Sequence, residues 1–328
     1  MKLLVTGGAG YIGSHVTRQL AQAGHDVVVF DNLSTGQAHA VLGAQLVVGD
    51  LADGAILDAL FRRHDFEAVL HFAASIVVPE SVARPLAYYA NNTRNMLNLL
   101  ERVAGFEVPG FVFSSTAAVY GMPDVDAVGE DLAPAPINPY GASKAMSERM
   151  LADLARAKPA LRYVALRYFN VAGADPQCRI GQETPEATHL IKVACQAALG
   201  RRDGVDLFGT DYPTPDGTCI RDYIHVEDLA RAHLDALRYL ADGGASAVLN
   251  CGYGRGASVR EVLAIAREVT GVDFPLREAA RRPGDPARLV AAVERIGAAL
   301  HWKPRYADLP TIIAHAWAWE RHLAARKH

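Results

Sequence analysis

A glycine-rich turn directly behind the first apolar run limits the fold of this chain more than any other feature. Leu3-Leu4-Val5 leads into Thr6-Gly7-Gly8-Ala9-Gly10-Tyr11-Ile12-Gly13, after which Ile12, Val16 and Leu20 repeat every four residues and stop at Gly24. The turn satisfies G-x-G-x-x-G through Gly8, Gly10 and Gly13, and also the register Gly7, Gly10, Gly13. Such a strand–turn–helix lets backbone N–H groups approach a pyrophosphate at the positive end of a helix. The next run, Val27-Val28-Val29-Phe30, ends on Asp31, eighteen residues past Gly13. An acid there is placed to accept hydrogen bonds from a ribose 2′-hydroxyl. It would repel a 2′-phosphate, and Asn32 brings no compensating cation, so the pattern points to NAD rather than NADP. Asp50-Leu51, closing the third run, stand either against the adenine or, with Asp53, at a helix start. Phe72-Ala73-Ala74 are small enough for backbone to pass beside the cofactor.

Further β-branched and aromatic runs follow at Leu46-Val47-Val48, Ala68-Val69-Leu70-His71-Phe72, Phe111-Val112-Phe113 and Tyr163-Val164-Ala165-Leu166, with helical stretches expected at 81–104 and 138–157. Strand and helix in alternation predict an α/β fold, a Rossmann-type doubly wound parallel sheet with helices on both faces. Past residue 172 the pattern loosens. Turn residues gather at Asp175-Pro176, 211–217 and Arg282-Pro283-Gly284-Asp285-Pro286, with short helices expected at 189–199 and 226–240. The expected division is therefore a dinucleotide-binding domain at 1–172 and a smaller mixed α/β substrate domain at 173–328. Segments around 220–250, among them Val248-Leu249-Asn250, return to the sheet. Open α/β sheets bind ligands at their strand C-termini, so the second lobe is expected to close over a site there.

Charge and cysteine usage narrow the partners. The 328 residues carry 33 Lys and Arg against 36 Asp and Glu, a net −3, which gives no electrostatic reason to expect nucleic acid or an anionic membrane. Cys178, Cys195, Cys219 and Cys251 form no Cys-x-x-Cys pair and read as buried thiols, with no metal site. No signal-peptide core precedes the first glycine and no apolar run reaches bilayer length, so a cytoplasmic location is expected.

Tyr140-Gly141-Ala142-Ser143-Lys144 lies just inside a helix whose start is marked by Asn138 as N-cap and Pro139 at the first position. A spacing of four puts the phenol and the ammonium on one face. Lys144 could instead pair with Glu148 one turn on. For Tyr140 to serve as a base near neutrality, its pKa of about 10 must fall by ~3 units, or ~4 kcal/mol. Lys144, a positively charged nicotinamide and the helix N-terminus together suffice for that. Ser114-Ser115-Thr116 ends the fifth run at the same sheet edge and offers a hydroxyl to the substrate oxygen. The three pieces together read as a hydride-transfer site.

Several stretches carry a family resemblance. They are Val5-Thr6-Gly7-Gly8-Ala9-Gly10-Tyr11-Ile12-Gly13-Ser14-His15, Phe30-Asp31-Asn32-Leu33, His71-Phe72-Ala73, 113–121, Leu166-Arg167-Tyr168-Phe169-Asn170 and Arg221-Asp222-Tyr223-Ile224-His225-Val226. Over nearly the whole chain the sequence resembles the extended short-chain dehydrogenase/reductase family and, within it, the UDP-glucose 4-epimerases. The resemblance implies a UDP-hexose substrate oxidised and re-reduced at C4 with resident NAD. Tyr140 would take the 4′-hydroxyl proton, Thr116 would hold that oxygen, and Lys144 would orient the nicotinamide ribose and lower the Tyr140 pKa. Asn91, Ser114 and Phe169 join the cofactor contacts by the same match. Asn170, Arg221 and Arg282 would meet the diphosphate, Asp285 the uridine ribose, and Leu190 and Phe208 the uracil. His189 also falls on the substrate, where some members have Asn.

The chain departs from the family's pattern at two further positions, Ile76 and Leu289. Ile76 stands where some members have a phosphate-binding Lys. Leu289 stands where glucose-restricted members have a bulky Tyr, leaving room for an N-acetyl group and hence for UDP-N-acetylglucosamine and UDP-N-acetylgalactosamine. Ala117 and Ala118 replace the acid pair that related dehydratases use, and neither can move a proton, which disfavours elimination. The competing readings are another NAD-dependent dehydratase or decarboxylase, a dehydrogenase releasing NADH, and a non-catalytic NAD sensor. Relatives dimerise through two helices, here the stretches around Met96, Leu97, Leu99 and Leu100 and around Met146, Met150 and Leu154, so a homodimer is expected.

Overall fold

A computed structural model describes residues 1–184, 187–282 and 284–326. In chain order the strands are β1 (Lys2–Thr6), β2 (Asp26–Asp31), β3 (Gln45–Val48), β4 (Ala68–His71), β5 (Gly110–Thr116), β6 (Arg162–Tyr168), β7 (Asn170–Ala172), β8 (Val205–Phe208), β9 (Ile220–His225), β10 (Ala247–Cys251), β11 (Gly256–Ser258), β12 (Leu276–Ala279) and β13 (Arg288–Leu289). Seven of them make one parallel sheet in the order β10-β6-β5-β4-β1-β2-β3. The chain starts in the middle, works outward to β3, then crosses back to β4 on the other side of β1. Between β1 and β4 the strand order reverses, and the connections leave their C-terminal ends in opposite directions. That opens a crevice where doubly wound sheets hold ligands.

Side chains alternate across this sheet because successive residues of a strand point to opposite faces. Leu3, Val5, Val29, Leu70, Val112 and Leu166 face the helices Tyr11–Gln22 and Val226–Ala241. Leu4, Val28, Val69, Phe111 and Ala165 face the helices Gly54–Arg63 and Asn95–Gly105. The first helix ends where the sequence places its stop, with Gly24 at φ +84° and its N–H closing on the Ala21 carbonyl at 3.0 Å.

The second lobe is built around β9, which runs parallel to β7 and β13 and antiparallel to β11; β8 and β12 form a separate parallel pair. Three helices, Leu190–Ala198, Val259–Thr270 and Leu309–Arg326, pack Ile191, Cys195, Leu263 and Ile313 into its core. The segment 226–251 belongs to the large sheet instead, contributing one covering helix and the edge strand β10.

Two expectations need correction. The single helix expected at 81–104 is four pieces: Val78–Ala83, Pro85–Tyr88, a widened π-type turn at Tyr89–Arg94, and Asn95–Gly105. Pro85 has no N–H to donate and drives Arg84 out of helical geometry, to φ −133° and ψ 58°. The widened turn carries Asn92, whose amide accepts from Ser75 N (2.8 Å) and donates to Ser75 O (2.9 Å) and Ser143 Oγ (3.0 Å). All four cysteines are free, but Cys178 is only half-buried, in a tight turn with φ +52°, while the other three are buried. Among the described residues no helix is long and apolar enough to cross a membrane, and no cluster could hold a metal ion.

Glu148 is not the surface partner of Lys144. Its carboxylate is buried and accepts from Arg167 Nη2 (2.6 Å) and Nε (2.9 Å) and from Ser115 Oγ (2.5 Å). The Arg167 guanidinium also lies over the Tyr120 ring at 4.8 Å, and the Tyr120 hydroxyl donates to Asn250 Oδ1 at 2.7 Å. One helix and three strands are thereby locked together at the C-terminal end of β5. Removing one partner of a buried pair leaves the other charge uncompensated, so Glu148→Ala should cost about 3–5 kcal/mol in urea unfolding. A loss below about 1 kcal/mol would show that the pair is not a structural lock.

Candidate active site

The glycine turn is shaped by backbone approach. Gly7 has φ +72°, and a Cβ there would come within 2.5 Å of Ala73 N, so the turn lies directly against the loop after β4. A Cβ on Gly13 would run into the Gly7 carbonyl, whereas one on Gly10 meets only that carbonyl, at 3.3 Å. Gly8 packs instead against the side chains of Val29 and Thr17. Gly7, Gly10 and Gly13 therefore form the cradle, and Gly8 is a helix–strand packing residue. No side chain caps the helix at Gly10, which leaves the first-turn N–H groups of Tyr11, Ile12 and Gly13 open to an anion. The Tyr11 phenol reaches the second lobe, donating to the Gly173 carbonyl at 2.7 Å.

Asp31 stands beside this cradle, its carboxylate accepting from Ala9 N (3.0 Å) and Leu33 N (2.8 Å). Asn32 donates to Asp50 at 2.8 Å, and Asp50 also accepts from Ala52 N at 2.8 Å. The helix cap is Asp53, through Ala55 N and Ile56 N, and Leu51 is buried. Across the crevice, Asn91 on the widened turn donates to Ser75 Oγ at 3.0 Å, and Ile76 is exposed.

Asn138 caps the helix Pro139–Ala157, accepting from Gly141 N at 2.8 Å. Gly141 permits the close fit that follows: a Cβ there would sit 2.5 Å from the Ala118 carbonyl, so the helix start presses onto the turn Ala117–Tyr120. Thr116 heads that turn and accepts from Ala118 N at 3.1 Å. Lys144 is buried, donates to the Ser114 carbonyl at 2.7 Å and lies 4.9 Å from the centre of the Phe113 ring. Burial drives its pKa down to about 7, with Glu148 on the next turn drawing it partly back. Burial also pushes the Tyr140 phenol above its usual range, and the Thr116 hydroxyl hydrogen-bonding to it draws it back down. The expected acidification of the phenol needs Lys144, the helix N-terminus and a charged nicotinamide together, and the first of these has a proton that burial loosens.

On the substrate side the site residues come in pairs. Arg221 donates to Asp285 Oδ1 at 2.5 Å and to the Ile220 carbonyl at 2.8 Å. The Arg282 guanidinium covers the Phe208 ring at 3.8 Å. Leu289, beside Arg221 in the sheet, packs on the cluster of Ala117, Val119 and Phe169 and so flanks the turn that bears Thr116. Asn170 opens β7 opposite Tyr223. His189 precedes the helix Leu190–Ala198 and meets the Gln182 amide at 2.9 Å. Pro283, named among the turn residues, lies outside the described residues. Sequence patterns passed over Gln182, the Glu148–Arg167 pair, and the Tyr168–His233 hydrogen bond beneath Phe72. Glu148 and Tyr168 find partners in other elements, while the Gln182 amide meets His189 seven residues on, at a separation that belongs to no regular pattern.

The model of the family described as NAD dependent epimerase/dehydratase matches residues 3–252. The UDP-glucose 4-epimerase of Azospirillum brasilense is 58% identical over 323 residues, covering 98% of this chain and 92% of that protein. The crystal structure of UDP-glucose 4-epimerase from Brucella ovis in complex with NAD superposes with a TM-score of 0.93 at 46% identity, covering 97% of both chains. The UDP-Glc/GlcNAc 4-epimerase of Campylobacter jejuni superposes with a TM-score of 0.86 at 48% identity, covering 98% of this chain and 99% of that one.

Lys144 carries a stability cost whose sign follows from its shift. An amine at about 7 when folded and about 10.4 when unfolded means that the unfolded chain binds more protons between those values. Stability therefore rises with pH across that window, and the penalty is full below it. Lys144→Met should raise the melting temperature by a few degrees at pH 6.5 and lose most of that gain by pH 10, at matched cofactor content. A gain independent of pH would overturn the assignment.

Proposed function

The chain belongs to the NAD dependent epimerase/dehydratase family, and from that premise we propose that it interconverts UDP-glucose and UDP-galactose as a 4-epimerase with resident NAD. The observation that carries the reading is the Thr116–Tyr140–Lys144 constellation with Ala117 and Ala118 beside it: groups that move a proton on and off one hydroxyl, and none that would eliminate water.

The residues present fit the cofactor. A Cβ would fill the cradle at Gly7 or Gly13, the helix start is open, and Asp31 stands where a ribose diol would lie. When bound, NAD supplies the hydride acceptor at sugar C4, the hydride donor for return to the other face, and a positive ring charge that favours the phenolate. Tyr140 takes the 4′-hydroxyl proton and gives it back. Without substrate the Thr116 hydroxyl donates to the phenolate, which partly offsets the cost of its burial, and with substrate bound its single proton turns to the sugar 4′-oxygen. Lys144, fixed by the Ser114 carbonyl, orients the nicotinamide ribose. Asn170, Arg221 and Arg282 serve the diphosphate, Asp285 the uridine ribose, and His189, Leu190 and Phe208 the uridylyl end.

Purified enzyme given UDP-galactose should yield UDP-glucose without stoichiometric NADH. Tyr140→Phe should lower kcat by roughly 10²–10⁴-fold while NAD content is retained. Absence of turnover with NAD bound would favour a sensor, and steady NADH release a dehydrogenase.

Leu289 supports a wider substrate range. It is half-buried beside the Thr116 turn, and its side chain is smaller than the tyrosine of the glucose-restricted members. The enzyme is accordingly assigned UDP-N-acetylglucosamine and UDP-N-acetylgalactosamine as a second pair, a range the Campylobacter jejuni protein's name also carries. Leu289→Tyr should remove turnover of the N-acetyl sugars and leave UDP-galactose turnover within about threefold. Equal loss on both pairs, or none, would refute the role.

A homodimer is the assembly assigned. Met96, Leu99 and Leu100 are buried within the chain, and Met150 and Leu154 are half-buried, so of the expected contact residues only Leu97 and Met146 are exposed. With exposed Val82 and Leu86 on adjoining helices they offer an apolar face to a second copy. The location assigned is cytoplasmic.

A further inference from the structure

The loop before the helix Leu190–Ala198 holds a buried amide against an imidazole. Gln182 is 7% exposed, and its side-chain Nε2 lies 2.9 Å from His189 Nδ1. An amide nitrogen can only donate, so Nδ1 is the bare acceptor and the ring proton sits on Nε2. That Nε2 has no hydrogen-bond partner among the described residues and is not a sealed, orphaned atom.

We propose that Gln182 is a positioning residue that fixes His189 as its Nε2–H tautomer, so that the ring donates a hydrogen bond to an oxygen of the bound UDP moiety. The inference rests on the functional reading above, which places His189 on the substrate.

Gln182 is held on both sides. Its backbone carbonyl accepts from Lys192 Nζ (2.6 Å) and from the Trp319 indole (3.3 Å), and Lys192 is in turn paired with buried Glu320. The Leu309–Arg326 helix thereby anchors the loop from behind. Gln182 and His189 line a small cavity together with Tyr11 and Gly173, between the first helix of the cofactor lobe and the substrate lobe. The titratable groups on this cavity are Lys192 from the His189 helix, Glu320 from the C-terminal helix and Tyr11 from the first helix. Glu183, next in the chain, turns away toward His39 at 2.9 Å and Arg326. Burial and the Lys192 charge keep the imidazole neutral. A reversed amide would place the proton on Nδ1 and leave a bare Nε2 facing the substrate's oxygens, where it repels them.

A carboxylate at position 182 separates this role from a structural one, because it can only accept. In Gln182→Glu the neutral ring must carry its proton on Nδ1, and Nε2 becomes a donor only when the ring is an imidazolium. The new carboxylate raises that pKa. Titration of NAD-loaded enzyme with UDP should give a wild-type affinity flat between pH 7 and 9. Gln182→Glu should match wild type at pH 6 and fall by roughly tenfold by pH 9, the loss of one hydrogen bond to a charged group. Adding His189→Asn should abolish that pH dependence. In wild type, nitrogen NMR of His189 at pH 8 should find Nε2 protonated and Nδ1 bare, a readout that needs no variant to fold. Normal UDP binding with a flat Gln182→Glu profile, a slope that survives His189→Asn, or an Nδ1–H tautomer overturns the inference alone. Failure of wild-type enzyme to bind UDP overturns the functional reading with it.

Discussion

One helix face, carrying Tyr140, Lys144 and Glu148 at a spacing of four, is buried against the end of β5, and the chemistry depends on how that burial is balanced. Three ionisable groups leave water together, which is costly unless each finds a partner. Glu148 finds Arg167 and Ser115 and forms the fixed base of the stack. Lys144 finds a carbonyl and a ring face but no full counter-charge, and its proton is correspondingly loose. Tyr140 finds only the Thr116 hydroxyl. Charge is thus well satisfied at the bottom of the stack and poorly satisfied at the top. A site that stabilised every group equally would have nothing left to favour a phenolate when a cation arrives in the crevice.

The elements around β9 and the helix after it are joined by the same kind of bonding as the stack, with buried acids taking several donors each. Glu227, at the start of the helix that follows β9, accepts from His15 (2.5 Å), Arg18 (2.5 Å) and Gln19 (2.7 Å), all on the helix behind the glycine turn. Donors at this density hold its carboxyl down at about 2 despite burial. Asp222 collects the backbone N–H groups of Tyr253 and Gly254, at 2.9 and 2.8 Å, and burial still lifts it to about 6. Asp228 gathers the N–H groups of Arg305 and Tyr306 and the Tyr253 hydroxyl. Glu227 thus fixes the covering helix Val226–Ala241 to the helix behind the glycine turn, Asp228 fixes it to residues 305–306, and Asp222 fixes β9 to the loop after β10.

Features legible in the sequence were those with a local physical signature. A turn that must carry φ +72° and admit backbone within 2.5 Å needs glycine, and Gly7 announces it. A helix start with Asn138 and Pro139, and strands buried on both faces, likewise write themselves into short windows. The widened turn at Tyr89–Arg94 was not legible, because one extra residue per turn leaves the apolar spacing of the flanking helices unchanged. Strands β7, β11 and β13, two or three residues each, are too short for any alternation. Glu148 was misread for a different reason: the cation one helical turn before it is Lys144, but its partner, Arg167, arrives from the next strand. Long-range pairing of buried charge has no sequence window, and the same holds for Gln182 and His189, whose contact depends on a loop closed from behind by Lys192 and Glu320.

The paired state of the substrate-side cations follows from the same economy. Under the proposed reading, Arg221 and Arg282 meet a diphosphate, yet in this chain each already has a partner, Asp285 for one and the Phe208 ring for the other. An Arg221 buried to this depth without a partner would carry a penalty of several kcal/mol. Asp285 supplies that partner and orients the guanidinium. The partner is not wasted by the exchange, since a carboxylate released beside a nucleotide is suited to a ribose diol, the role assigned to Asp285. Phe208 is likewise freed to stack as Arg282 turns to phosphate. Preorganisation here consists of pairs that hold one another in place and then divide the ligand between them, so specificity for a nucleotide carrying both a diphosphate and a ribose arises from needing to satisfy both halves at once.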